Sequence, residues 1–111
     1  MTIQKKHEGN AVVVSVSGRL DAVTAPEYAK TIQEVLAEAP ARIVVDLDQL
    51  TYISSSGLGE LIVTAKTMKE KQGKLCVANV RGNVLSVFEM CGIGSLLTMS
   101  PSVADALAAP A

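Results

Sequence analysis

Residues 43–68, IVVDLDQLTYISSSGLGELIVTAKTM, contain a change of hydrophobic period that decides how the chain folds. Ile43-Val44-Val45 is a short continuous apolar run, of the kind that suits a central strand covered on both faces. It stops at Asp46-Leu47-Asp48-Gln49. Beyond the serines, Leu58, Leu61, Ile62, Ala65 and Met68 recur at helical spacing, with Glu60, Thr64, Thr67 and Lys71 mostly off that stripe. Gly73 supplies a natural stop. The segment therefore predicts strand, loop, helix, with Ser54-Ser55-Ser56 at the helix start.

The flanks extend the pattern. Val12, Val14 and Val16 alternate with Val13, Ser15 and Ser17, which predicts a strand with one richer apolar face, ended by Gly18. Ile3 to His7 can pair with it across Glu8-Gly9-Asn10, whose Gly-Asn has turn chemistry. Ala25, Tyr28, Ala29, Ile32, Val35, Leu36 and Ala39 form a helical stripe with Thr24 as N-cap, Pro26 in the first turn and Pro40 at the exit. Leu75 to Ala78 is a second buried strand. Val84, Val87, Phe88 and Cys91 make a third helical stripe closed by Gly92, with Met90 off it. Residues 96–99 allow a short last strand, and Ser102 caps a final helix through Leu107, with Asp105 in its first turn. A hairpin followed by helix–strand alternation predicts an α/β fold: a mixed sheet of four to five strands packed against about four helices. Loops at the carboxyl ends of such strands tend to carry function, which singles out residues 18–24 and 48–57.

Composition bounds the alternatives. A chain of 111 residues is one domain's worth, and 49% hydrophobic residues can fill a core without a metal or disulfide. The last few residues, from 108 on, have the composition of a fraying tail. A formal net charge of −1 gives no basic field for nucleic acid or an anionic membrane. Cys76 and Cys91 each sit alone in an apolar run, which predicts buried free thiols, no metal site and a reducing cytoplasm. The first ten residues have no apolar core of signal-peptide length, and no run approaches a membrane span.

The serine loop admits several chemistries. A nucleophilic serine needs a base, and the strained elbow G-x-S-x-G does not fit: Ile53 stands where it must open, or Gly57 stands at its centre. The one histidine, His7, falls in a predicted edge strand, where a polar edge role suits it, and no S-x-x-K follows the serines. No hydrolase is predicted. A phosphate cradle is better supported, because a helix N-terminus offers free N–H groups and Gly57 and Gly59 permit close approach. Neither nucleotide-binding glycine motif is present, however. A helix cap explains one serine, any of the three. The spare serines and the helix-weakening glycines leave room for a function.

Two motifs together point to a family. The loop Ile53-Ser54-Ser55-Ser56-Gly57-Leu58-Gly59, following VVDLDQLTY, resembles the signature of STAS domains, the anti-sigma factor antagonists and their relatives. Gly18-Arg19-Leu20-Asp21, followed by Thr24-Ala25, is similar to that family's first functional loop. The match in order and spacing runs from the first strand to the last helix. It implies a non-enzymatic partner-switching regulator without cofactor. Unphosphorylated, such a protein binds an anti-sigma factor that is also a serine kinase of histidine-kinase-like fold. Phosphorylated, it lets go until a metal-dependent serine phosphatase resets it. Carried over by position, the acceptor is Ser55, with Asp21, Ser54, Ser56, Gly57 and Leu58 contacting the partner. The family's commonest motif has aspartate where this chain has Ser54. Outside that output, the resemblance also fits a STAS module regulating transport, secretion or a stress complex. A nucleotide-binding module is the alternative from another class.

Overall fold

The computed structural model describes residues 1–109 of the chain. Two antiparallel strands open it, β1 (Thr2–Glu8) and β2 (Ala11–Leu20), in register from Thr2 opposite Ser17 to Glu8 opposite Ala11. Helix α1 (Ala25–Ala37) leads to β3 (Arg42–Asp46), a short β4 (Leu50–Ile53) and α2 (Ser55–Glu70). Then come β5 (Lys74–Ala78), α3 (Gly82–Cys91), β6 (Thr98–Ser100) and α4 (Val103–Ala108). The sheet is mixed, in the order β1-β2-β3-β5-β6, and β4 pairs in parallel with the end of β2. The predicted class holds, with six strands rather than four to five.

Alternation sorts the sheet's side chains into two layers. Val12, Val14, Val16, Ile43, Val45, Leu75 and Val77 meet Tyr28, Ile32 and Val35 of α1, Leu61 and Met68 of α2, and Phe88 of α3 in one continuous core. The opposite face is thinner: Val13, Val44, Cys76 and Ala78 pack under Ala106 of α4. Ile43, Val44 and Val45 are wholly buried, so the continuous apolar run is the doubly covered strand that its pattern predicts.

Several local expectations need correcting. Gly18 does not end β2: it takes φ +89° and the pairing shifts at Gly18/Arg19, a bulge after which the strand runs on to Leu20. Gly73 is not the left-handed stop of α2. Gln72 takes that conformation at φ +62°, and Gly73 is small because a Cβ there would lie 2.7 Å from the Met68 methyl and 3.2 Å from the Ala41 carbonyl oxygen. Cys76 is buried, but Cys91 in the last turn of α3 is exposed. The tail expected at 108–111 falls partly outside the described residues. Ala108 still belongs to α4, and the Arg42 guanidinium donates to the carbonyls of Ala106 and Ala109, capping that helix; residues 110 and 111 lie outside the described residues. Among the described residues, no helix is long and apolar enough to cross a membrane.

Candidate functional site

The two loops singled out by the sequence meet at the carboxyl end of β2. The hinge between them is Leu20. Its side chain is fully buried, its carbonyl accepts the Ser54 N–H at 2.9 Å, and Asp21 follows it directly. β4 brings the serine loop there by pairing Tyr52 with Arg19 and Ile53 with Leu20. The sequence signal for β4 was weak, because four residues with a mixed burial pattern carry too little periodicity to separate strand from loop.

The first loop spends its polar groups on itself. One Asp21 carboxylate oxygen accepts the N–H groups of Val23 at 3.0 Å and Thr24 at 3.1 Å. The Thr24 hydroxyl accepts the Asp21 N–H at 2.9 Å and donates to the Arg19 carbonyl at 2.8 Å. Thr24 therefore occupies the N-cap position of α1 without capping it in the expected way; its hydroxyl closes the loop instead. Arg19 lies 3.8 Å from the other Asp21 oxygen and stacks 4.2 Å over the Tyr52 ring, tying β2, the loop and β4 together. The hydrogen bond from the Thr24 backbone, followed by those from Val23 and the Thr24 hydroxyl and by the Arg19 charge, holds the Asp21 carboxyl below the usual carboxylate range.

The second loop is built differently. Ser54 is extended, at φ −97° and ψ 174°, and its hydroxyl accepts the Gly57 N–H at 3.3 Å. Ser54 is thus the cap, and α2 begins at Ser55. Gly57 is jammed against the end of β2. A Cβ there would lie 2.7 Å from the Leu20 carbonyl oxygen and 2.8 Å from Ile53 Cγ1. Gly59 is the opposite case: a Cβ would meet nothing within 4 Å. The Ser55 and Ser56 side chains are exposed, and neither hydroxyl has a hydrogen-bond partner among the described residues.

A family model described as the STAS domain matches residues 2–106. The chain belongs to the STAS domain family. The anti-sigma-B factor antagonist of Bacillus subtilis is 26% identical over 100 residues, covering 90% of this chain and 91% of that protein. The crystal structure of an anti-sigma factor antagonist from Mycobacterium paratuberculosis matches with a TM-score of 0.87 at 30% identity, over 96% of this chain and 91% of that one. SpoIIAA, a Bacillus cell fate determinant, shares the fold at 18% identity in both of its forms. The TM-score is 0.74 unphosphorylated and 0.73 phosphorylated, over 96% of this chain and 94% and 97% of SpoIIAA.

Within this STAS domain the expected site residues separate by burial. Ser55 and Ser56 stand on the surface and Asp21 and Ser54 are half-buried. Gly57 and Leu58 are buried and seat the helix against Leu20 and the core. Sequence reasoning also missed the brace between the two helices that start at these loops. Thr64, placed off the buried stripe because it is polar, is only 2% exposed. Its hydroxyl donates to the Glu60 carbonyl at 2.8 Å and lies 3.0 Å from the Tyr28 hydroxyl of α1. Burial holds the Tyr28 phenol far above its ordinary pKa, so it stays protonated. A tyrosine on an apolar stripe was the available signal, since a buried phenol needs a hydrogen-bond partner.

His7 stands at the other end of β2. It pairs with Val12, eight residues before Leu20 and so roughly 26 Å away along the strand, and its Nε2 lies 2.5 Å from Glu38. No imidazole base is brought to the serines.

Proposed function

We propose that this STAS domain is an anti-sigma factor antagonist whose binding is switched by phosphorylation of Ser55. The observation that carries the reading is the division of labour among the serines: Ser54 is committed to the cap, whereas Ser55 and Ser56 present free hydroxyls. Ser55 is the first residue of α2, and it matches the family's acceptor by position. The relatives' names supply the output, binding of an anti-sigma factor. The partner proposed here is an anti-sigma factor of histidine-kinase-like fold that is also the kinase, with a metal-dependent phosphatase as the resetting enzyme.

Elementary electrostatics supports the switch. A phosphate adds about −1.5 to −2 charges near neutral pH. At the first turn of α2 the helix dipole and free N–H groups tolerate that charge, so the fold persists. SpoIIAA, similar to this chain to the same degree in both of its forms, is consistent with that. A partner packed over the loop meets added bulk and a dianion, and like-charge juxtaposition costs several kcal/mol at an interface. Ser54 in place of aspartate keeps the cap, because the two residue types cap about equally well.

The test uses the purified chain, a candidate anti-sigma factor kinase and ATP. Phosphopeptide mapping is expected to place the phosphate on Ser55, and calorimetry to show affinity falling at least about tenfold on modification. Ser54→Asp should bind as the unmodified chain does, and Ser55→Glu should weaken binding in part. Phosphate on Ser56 with Ser55 untouched overturns the acceptor assignment. Unchanged affinity after phosphorylation of Ser55 overturns the switch.

A further inference from the structure

The far end of α2 carries a second unexplained surface. Lys66 and Lys69 lie three residues apart on one face of the helix, and Lys71 follows at its end. All three are exposed, and none is paired with any described residue. Beside them, Ala65, Lys69, Gly73, Lys74, Leu75, Leu96 and Thr98 enclose a groove of 200 Å³. Its outer wall includes Leu96, in the loop into β6 and 62% exposed; Met99, within β6 beyond the groove lining, is 40% exposed. β6 ends the strand order and pairs with β5 alone among the described strands, so its outer edge is open.

Ordinary stabilisation accounts for part of this. Lysines in the last turn of a helix complement its dipole, which explains Lys69 and Lys71. It does not explain Lys66, one turn earlier, or large apolar side chains left in water next to an unpaired strand edge. Such edges are normally blunted or covered.

We propose that this groove docks an extended acidic segment of a partner protein, added as a strand along the free edge of β6. Main-chain hydrogen bonds to β6 supply the register. Alternate apolar side chains of the segment cover Leu96 and Met99, and its carboxylates meet Lys66 and Lys69. The concave groove and the strand edge favour a polypeptide over an anionic lipid surface, because headgroups offer no backbone groups in register. Seating on a bilayer would also ask three lysines to act without an inserted anchor. The surface is separate from the serine loop: Lys69 is fourteen residues along α2 from Ser55, roughly 20 Å. Its occupancy does not depend on the phosphorylation switch.

The experiment titrates the full, isotope-labelled chain with a synthetic peptide of alternating glutamate and valine, capped at both ends, and follows backbone amide shifts. Shifts are expected at Leu75, Leu96, Thr98 and Met99 and not at Ser55 or Ser56. Lys66→Glu combined with Lys69→Glu should weaken binding at least about tenfold, with an unchanged circular dichroism spectrum and a melting temperature lowered only slightly, by the charge reversal at the end of α2. A lysine–valine peptide should fail to bind. Absence of shifts, shifts centred on the serine loop, or equal binding of the lysine–valine peptide each overturns the proposal. So does binding of phosphatidylserine vesicles by a chain that ignores the acidic peptide.

Discussion

The loop before α1 and the loop before α2 lie side by side, joined through Leu20, yet they use their polar groups in opposite ways. Around Asp21 one carboxylate oxygen and the Thr24 hydroxyl are consumed by backbone groups of the same loop. Around Ser55 a single serine does the structural work and two hydroxyls are left over. A loop with its polar groups satisfied holds a shape; a loop with groups to spare offers chemistry. The pair therefore divides into a shaped neighbour and a modifiable surface, held at fixed spacing by the Tyr28–Thr64 brace.

The largest expected effect comes from Gly57. Gly57→Ala raises helix propensity but puts a methyl 2.7 Å from the Leu20 carbonyl oxygen, so it should cost about 1–3 kcal/mol in chemical denaturation. A neutral result there would mean that the junction of β2 with α2 is loose, and the contrast between the loops would lose its base.

Asp21→Ala comes next, and it sharpens the comparison. A role in partner contact alone would leave the melting temperature unchanged. The geometry gives Asp21 a structural share as well, so the melting temperature should fall. The sign with pH follows from the depressed carboxyl. Its stabilisation is present above the ordinary aspartate range and is lost as pH falls through the folded value. The wild type should therefore lose more melting temperature than Asp21→Ala between neutral and acid pH. Equal slopes would remove the loop-building role. Asp48, depressed by its Gln49 hydrogen bond and by the Arg81 charge, contributes an acid-sensitive share common to both proteins.

Gly59 gives the smallest effect and the opposite sign. It sits in a helix with open space where a Cβ would go, so Gly59→Ala should stabilise the domain by up to about 1 kcal/mol. A loss of stability would show that the two glycines of the motif are alike.

Legibility followed the length of each periodic signal. α1 and α2 span 13 and 16 residues and declared themselves through repeated stripes, as did the buried run of β3. β4 did not, since it is four residues long and leans on only the last three of β2. Thr64 and Cys91 were misplaced for one reason: residue type stood in for position. A threonine can be buried once Glu60 and Tyr28 satisfy its hydroxyl, and a cysteine at the last position of a helix can be exposed although it falls on the stripe. At the site, the loop and its three serines were visible in the chain. Which serine caps the helix was not, because any of them satisfies the local rule and the choice is made by Leu20 receiving the Ser54 N–H.

The two thiols give the molecule an internal clock. Cys91 is open to a thiol reagent, whereas Cys76 lies against Ser100 in the thin layer under α4, a layer of small side chains closed by Ala106 and latched by Arg42. Alkylation in native buffer thus separates into a fast event at Cys91 and a slow one at Cys76. The slow rate measures how often the α4 side of the sheet opens, whether by release of that short helix alone or by unfolding of the whole domain.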